Sequence, residues 1–224
     1  MSSHKKSLHP FQFATRLHLP QLTGISIHNL RELLEALRSV PGSVIYHHTH
    51  HFLQQHQNLI PGMPNDFAYW VQEALGENRL AEQLASLNAN EFSTVREIRE
   101  AMIGILEGYL NQNVSLREAL PGEELPLIRS ISFILATPYA AHDLLEFAQI
   151  LEKITIDSLY FHIFEARLRL HRPTNDFSIW LDEDLGEPEL SKTIARLDPY
   201  THTMEGLRKQ IVTLVKKQIH EESA

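Results

Sequence analysis

The chain contains no cysteine, which removes disulfides, thiolate catalysis and cysteine-bound zinc in one step. It has no apolar run near the roughly 18 residues that a membrane helix needs. The opening MSSHKKSLHP lacks the apolar core of a signal peptide, so a soluble cytoplasmic protein is expected. Basic excess is also missing. The net charge of −8 argues against a general nucleic-acid or anionic-membrane partner. There is no glycine-rich phosphate loop, no G-x-S-x-G and no dinucleotide fingerprint. What is present is globular: 43% hydrophobic and 21% charged residues rule out wholesale disorder, and 224 residues suffice for one large domain or two ordinary ones.

One stretch occurs twice. Residues 43–76 read SVIYHHTHHFLQQHQNLIPGMPNDFAYWVQEALG, and residues 157–186 read DSLYFHIFEARLRLHRPTNDFSIWLDEDLG. Tyr46 and His48 match Tyr160 and His162. After a short gap, Asn65, Asp66, Phe67, Trp70, Leu75 and Gly76 match Asn175, Asp176, Phe177, Trp180, Leu185 and Gly186. Upstream, His28-Asn29-Leu30 falls on His142-Asp143-Leu144, and Val40 on Ile154. Downstream, Leu80, Leu84 and Leu87 fall on Leu190, Ile194 and Leu197, and Ile98-Arg99 on Leu207-Arg208. The spacing reads as a tandem duplication of a unit of roughly 90–100 residues, longer than a solenoid period.

The expected fold class is mainly α: a five-helix unit present twice, with units at 10–112 and 130–220, a flexible tail at 1–9 and a connector at 113–129. In the first unit a helix starts near Ser26 and ends at Pro41-Gly42, and a second runs from Ser43 to about Leu59. The turn-rich IPGMPN follows, and Asn65 or Asp66 caps a third helix that Gly76 closes. A fourth carries Leu80, Leu84 and Leu87, and Thr94 with Glu97 forms a capping box for the fifth. The second unit repeats the order near 141–154, 157–171, 176–185, 188–197 and 203–219. Segments 10–19 and 130–138, one ahead of each unit, either pair as a short two-stranded β element or lie as extended arms across their own units.

Two sets of side chains carry the functional reading. His47, His50 and His51 share one predicted helix at i, i+3 and i, i+4, a spacing from which two imidazoles can reach one Zn, Fe or Mn ion. A third ligand would come from Asp66, Glu73 or a tail histidine. In the second copy these histidines become Phe161, Phe164 and Glu165, so a metal site would belong to the first copy alone. The second set is duplicated: Tyr46, His48, Asp66 and Trp70, with Tyr160, His162, Asp176 and Trp180. It makes either a ligand pocket in each copy or, as the favoured reading, a His-Asp lock between helices with the tryptophans as core anchors. His142-Asp143 matches the adjacent His-Asp of metal-dependent phosphohydrolases, but at a helix start that dipeptide is ordinary capping. Arg167, Arg169, His171 and Arg172 form a basic helix end, read as a solvated face.

Taken together, YHHTHHFLQQHQ, PNDFAYWVQEALGE, SLYFHIFEARLRL, TNDFSIWL and LDPYTHTMEGLR resemble an uncharacterised prokaryotic family, domain of unknown function number 5752, over residues 10–218. The resemblance brings no catalytic residues with it. The leading expectation is a module that binds a small molecule or a protein without chemistry of its own, at a groove between the two units. Alternatives are a metal-dependent hydrolase or oxidase built on the first-copy histidines, and a homodimer through the long terminal helices.

Overall fold

The computed structural model describes residues 6–51, 63–112, 117–172, 174–197 and 203–222. Side chains at 51, 90 and 222 are not among the described features. His56, the expected run of the second helix to Leu59 and the first part of IPGMPN lie outside the described residues.

The main correction concerns the fold class. Two strands of 17 residues each, β1 (Phe11–Ile27) and β2 (Leu125–Ala141), form a two-stranded antiparallel sheet. The mainly α tandem repeat with at most a short β element is therefore replaced by helices assembled with a long sheet. Ser26, expected to start a helix, lies inside β1, and Asn29 caps the helix Leu30–Ser39 instead. Pro20, Pro126 and Pro138 lie within these strands. A two-stranded ribbon leaves alternate N–H groups of each strand outside the ladder, so proline costs no hydrogen bond there.

The helices fall into two compact units, which divide the strands between them. One unit comprises residues 18–132, and the other combines 1–17 with 133–224.

In the 18–132 unit, the helix Leu30–Ser39 continues into Gly42–Tyr46 and a π-helical turn at His47–His51. Helices Asp66–Glu73, Asn78–Ala85 and Val95–Gln112 follow. Leu33, Ile45, Phe67, Leu84, Ile98 and Met102 form its core with Ile27 from the end of β1 and Leu125 and Leu127 from the start of β2. Thr23 Oγ1 donates to the Leu127 carbonyl at 2.8 Å, which fixes the ribbon here.

In the other unit, the first half of β1 supplies the core. Phe11 and Phe13 pack edge-on and tilted against Phe147 and Phe177, and Phe11 also meets Trp180. Around them lie helices Leu144–Leu151, Ile156–Tyr160, Ala166–Leu170, Asp176–Glu183, Pro188–Ala195 and Met204–Glu222, with a π-helical turn at Phe161–Glu165. Thr137 Oγ1 donates to the Phe13 carbonyl at 2.7 Å. Each large buried apolar side chain contributes about 1.5–3 kcal/mol of transfer free energy.

Corresponding polar contacts recur in both units. Asn65 and Asn175 accept from Ala68 N and Ser178 N at the helix starts. Arg99 donates to the Val40 carbonyl, and Arg208 to those of Leu151 and Ile154. Among the described residues no helix is long and apolar enough to cross a membrane.

Candidate ligand-binding site

His48 is the centre of the first candidate set. The π turn places it inside the 18–132 unit, where it is 1% exposed. Its Nε2 accepts the backbone N–H of Ile128 in β2 at 3.0 Å. A nitrogen that accepts carries no hydrogen, so the hydrogen sits on Nδ1, which donates to Asp66 Oδ2 at 2.7 Å. Both ring nitrogens are thereby committed. His162 repeats the arrangement: Nε2 accepts from Ala14 N at 2.8 Å, and Nδ1 donates to Asp176 Oδ2 at 2.7 Å. Each imidazole joins a strand to the first turn of a helix, so the His-Asp lock is a lock between strand and helix.

The tryptophans are anchors with one polar contact each. Trp70 Nε1 donates to the Glu123 carbonyl at 2.8 Å, and Trp180 Nε1 to the His9 carbonyl at 2.9 Å. Tyr46 belongs to a different cluster. Its ring stacks on His50 at 5.5 Å and on His18 at 5.3 Å, and its hydroxyl lies 3.2 Å from His18 Nε2. Tyr160 packs against Phe164 at the corresponding place.

Of the metal candidates, His47 and His50 have described side chains, and that of His51 lies outside the described features. His47 Nδ1 lies 2.9 Å from Ser130 Oγ, and His50 Nδ1 lies 2.9 Å from Thr49 Oγ1. Among the described residues no group of three or more His, Cys, Asp or Glu is placed to hold a metal ion. Of the basic helix end, Arg169 is an ion-pair partner rather than a solvated charge. Its Nη2 donates to Asp176 Oδ2 at 2.6 Å and its guanidinium lies 4.7 Å from the centre of the Phe161 ring.

Within the 18–132 unit, a cavity of about 460 Å3 opens beside His48 and Asp66, floored by Trp70 and Leu125 and rimmed by Tyr69, Glu73 and Glu123. Tyr69 is 40% exposed, an uncommon position for a large aromatic side chain. Among the described residues, three carboxylates and no lysine or arginine line this space. Glu73 was named in the sequence only as a third metal ligand, and Tyr69 and Glu123 were not singled out. The signal for Glu123 was available, because it precedes β2 as His9 precedes β1. Finding it required extending the internal alignment into the strands. A second cleft of about 340 Å3 lies along Gly104 and Gly108, near Tyr109. The Tyr109 hydroxyl donates to Glu77, and that hydrogen bond, with burial second, raises its pKa above the usual phenol value.

No curated protein matches the chain. Among solved structures it is similar to OrfY from Thermoproteus tenax, at 29% identity and a TM-score of 0.81, covering 95% of this chain and 96% of that one. The family of unknown function DUF5752 matches residues 8–216, and the chain belongs to that family.

Proposed function

We propose that this protein is a binding module without chemistry of its own, and that it takes its ligand in the cavity beside Asp66 and Trp70. The observation that carries this reading is the commitment of both His48 nitrogens, one to Ile128 and one to Asp66. A general base needs a free lone pair within reach of its substrate, and His48 spends its lone pair on a strand. What remains to meet a ligand is an aromatic ring, a set of carboxylates and a pre-formed concavity, the ingredients of recognition. The ligand is a small molecule or a single side chain of a protein partner, as the volume allows.

Tryptophan fluorescence and amide chemical shifts of the whole protein test this against a panel of cationic, anionic, neutral polar and apolar small molecules. The expected result is saturable binding of at least one class, weakened in Tyr69→Ala, a lesion at a half-exposed ring that the core does not need. No binding by any class would overturn the assignment of the site. Conversion of a bound compound, lost on changing these residues, would overturn the non-catalytic reading.

A further inference from the structure

The two units treat the same carboxylate differently, and that difference points to the ligand's chemistry. In the unit that holds 133–224, Asp176 receives His162 on Oδ2 and also the guanidinium of Arg169, at 2.6 Å. At the C-terminal end of that helix, Asp184 lies 3.1 Å from His9 Nδ1. Both acids there face a nitrogen donor from the chain itself.

In the 18–132 unit, Asp66 accepts from His48 alone, and no arginine or lysine among the described residues reaches it. Its side chain is 27% exposed and borders the cavity. Glu123 occupies the place that His9 has in the other unit, as the matching tryptophan bonds show. A carboxylate therefore stands where the counterpart offers an imidazole. Glu73 adds a third, and Tyr69 stands where the counterpart has Ile179. In the other unit an arginine bonds the acid while lying over the Phe161 ring. In this unit the acid and a ring are present, and the cation is absent among the described residues.

We infer that the cavity binds a guanidinium or ammonium group, which occupies against Asp66 the role that Arg169 fills against Asp176. This rests on the proposed binding site and names the class of ligand it takes. A planar guanidinium can donate to a carboxylate from one edge while an aromatic ring covers its face. The remaining carboxylates raise the local concentration of cations. Two sources share this chemistry: a free amine or guanidine, and an arginine or lysine side chain of a protein partner.

Isothermal titration of the full chain with agmatine, spermidine and N-acetyl-Gly-Arg-Gly-amide tests the inference, with acetate, phosphate and glucose as contrasts. The expected result is binding of at least one cationic probe, weakened as salt rises from 50 to 500 mM, as screening requires. Affinity should fall about tenfold or more in Asp66→Asn and in the double variant Glu73→Gln/Glu123→Gln. The double variant changes only exposed side chains, so a folding defect in Asp66→Asn does not blunt the test. Preference for the peptide over agmatine assigns the cation to a protein partner, and the reverse assigns it to a free amine; either supports the inference. Cation binding that is absent, or undiminished in the double variant, overturns it. If phosphate or glucose bind at Tyr69 while the cations do not, the site stands and its chemistry is wrong. If nothing binds, both fall.

Discussion

His48 and His162 show how much one buried imidazole can hold. Each accepts a strand amide and donates to a helix-start aspartate, with 1% and 3% exposure. A leucine in either place fills much of the same volume but leaves a strand N–H without a partner. Such a loss costs about 1–3 kcal/mol. His48→Leu and His162→Leu should therefore each lower the unfolding free energy by about 2 kcal/mol in a urea titration, whereas His142→Leu, at an exposed ring, should not change it measurably. The sequence made these histidines conspicuous because they recur with Tyr, Asp and Trp. It could not name their second partner, because Ile128 and Ala14 contribute a backbone amide, to which any residue but proline is equivalent. For the same reason Trp70 and Trp180 were legible as anchors, while their carbonyl acceptors were not.

At the level of elements, caps were easier to read than periodicity. Thr94 Oγ1 accepts from Glu97 N at 3.1 Å, and Glu97 returns the contact to Thr94 N at 3.0 Å, the reciprocal pair that the spacing predicts. Thr94→Ala should cost about 1 kcal/mol, read as a fall of about 2–4 °C in Tm for a chain of this size. The two π turns were not legible. HHTHH and FHIFE share only the histidine at their second position, and a wider turn has no composition signature of its own. The strands were misjudged in length for a related reason. A two-stranded ribbon tolerates proline and is held by a partner far away in sequence, and neither that pairing nor its length is visible in a local window.

On the scale of the whole molecule, the cores do not follow the order of the chain. Phe11 and Phe13 belong to the core of helices that lie beyond residue 143, whereas Leu125 and Leu127 belong to the core of helices before residue 113. The sequence reading set each extended segment across its own unit or paired the two briefly, and it did not foresee that each core takes the start of one strand and the end of the other. Phe13→Ala removes a fully buried ring, a change that typically costs 3–5 kcal/mol. It should unfold the unit containing 133–224 at lower denaturant than the 18–132 unit, seen as a split in the amide signals followed through a urea series. A single unchanged transition would show that Phe13 is not part of that core.

The division of β1 also sets a timetable. During synthesis the 18–132 unit has all its parts once residue 132 has emerged, and it can close at once. Phe11 and Phe13 are made first, yet they must wait for Phe147, Phe177 and Trp180. At about 5–20 residues per second that interval is on the order of ten seconds. For that time the first half of β1 is a largely apolar strand with no core to enter, interrupted by Gln12, Thr15 and Arg16. This segment waits longest between its synthesis and its core, and it is there that a nascent chain of this protein would most need a chaperone.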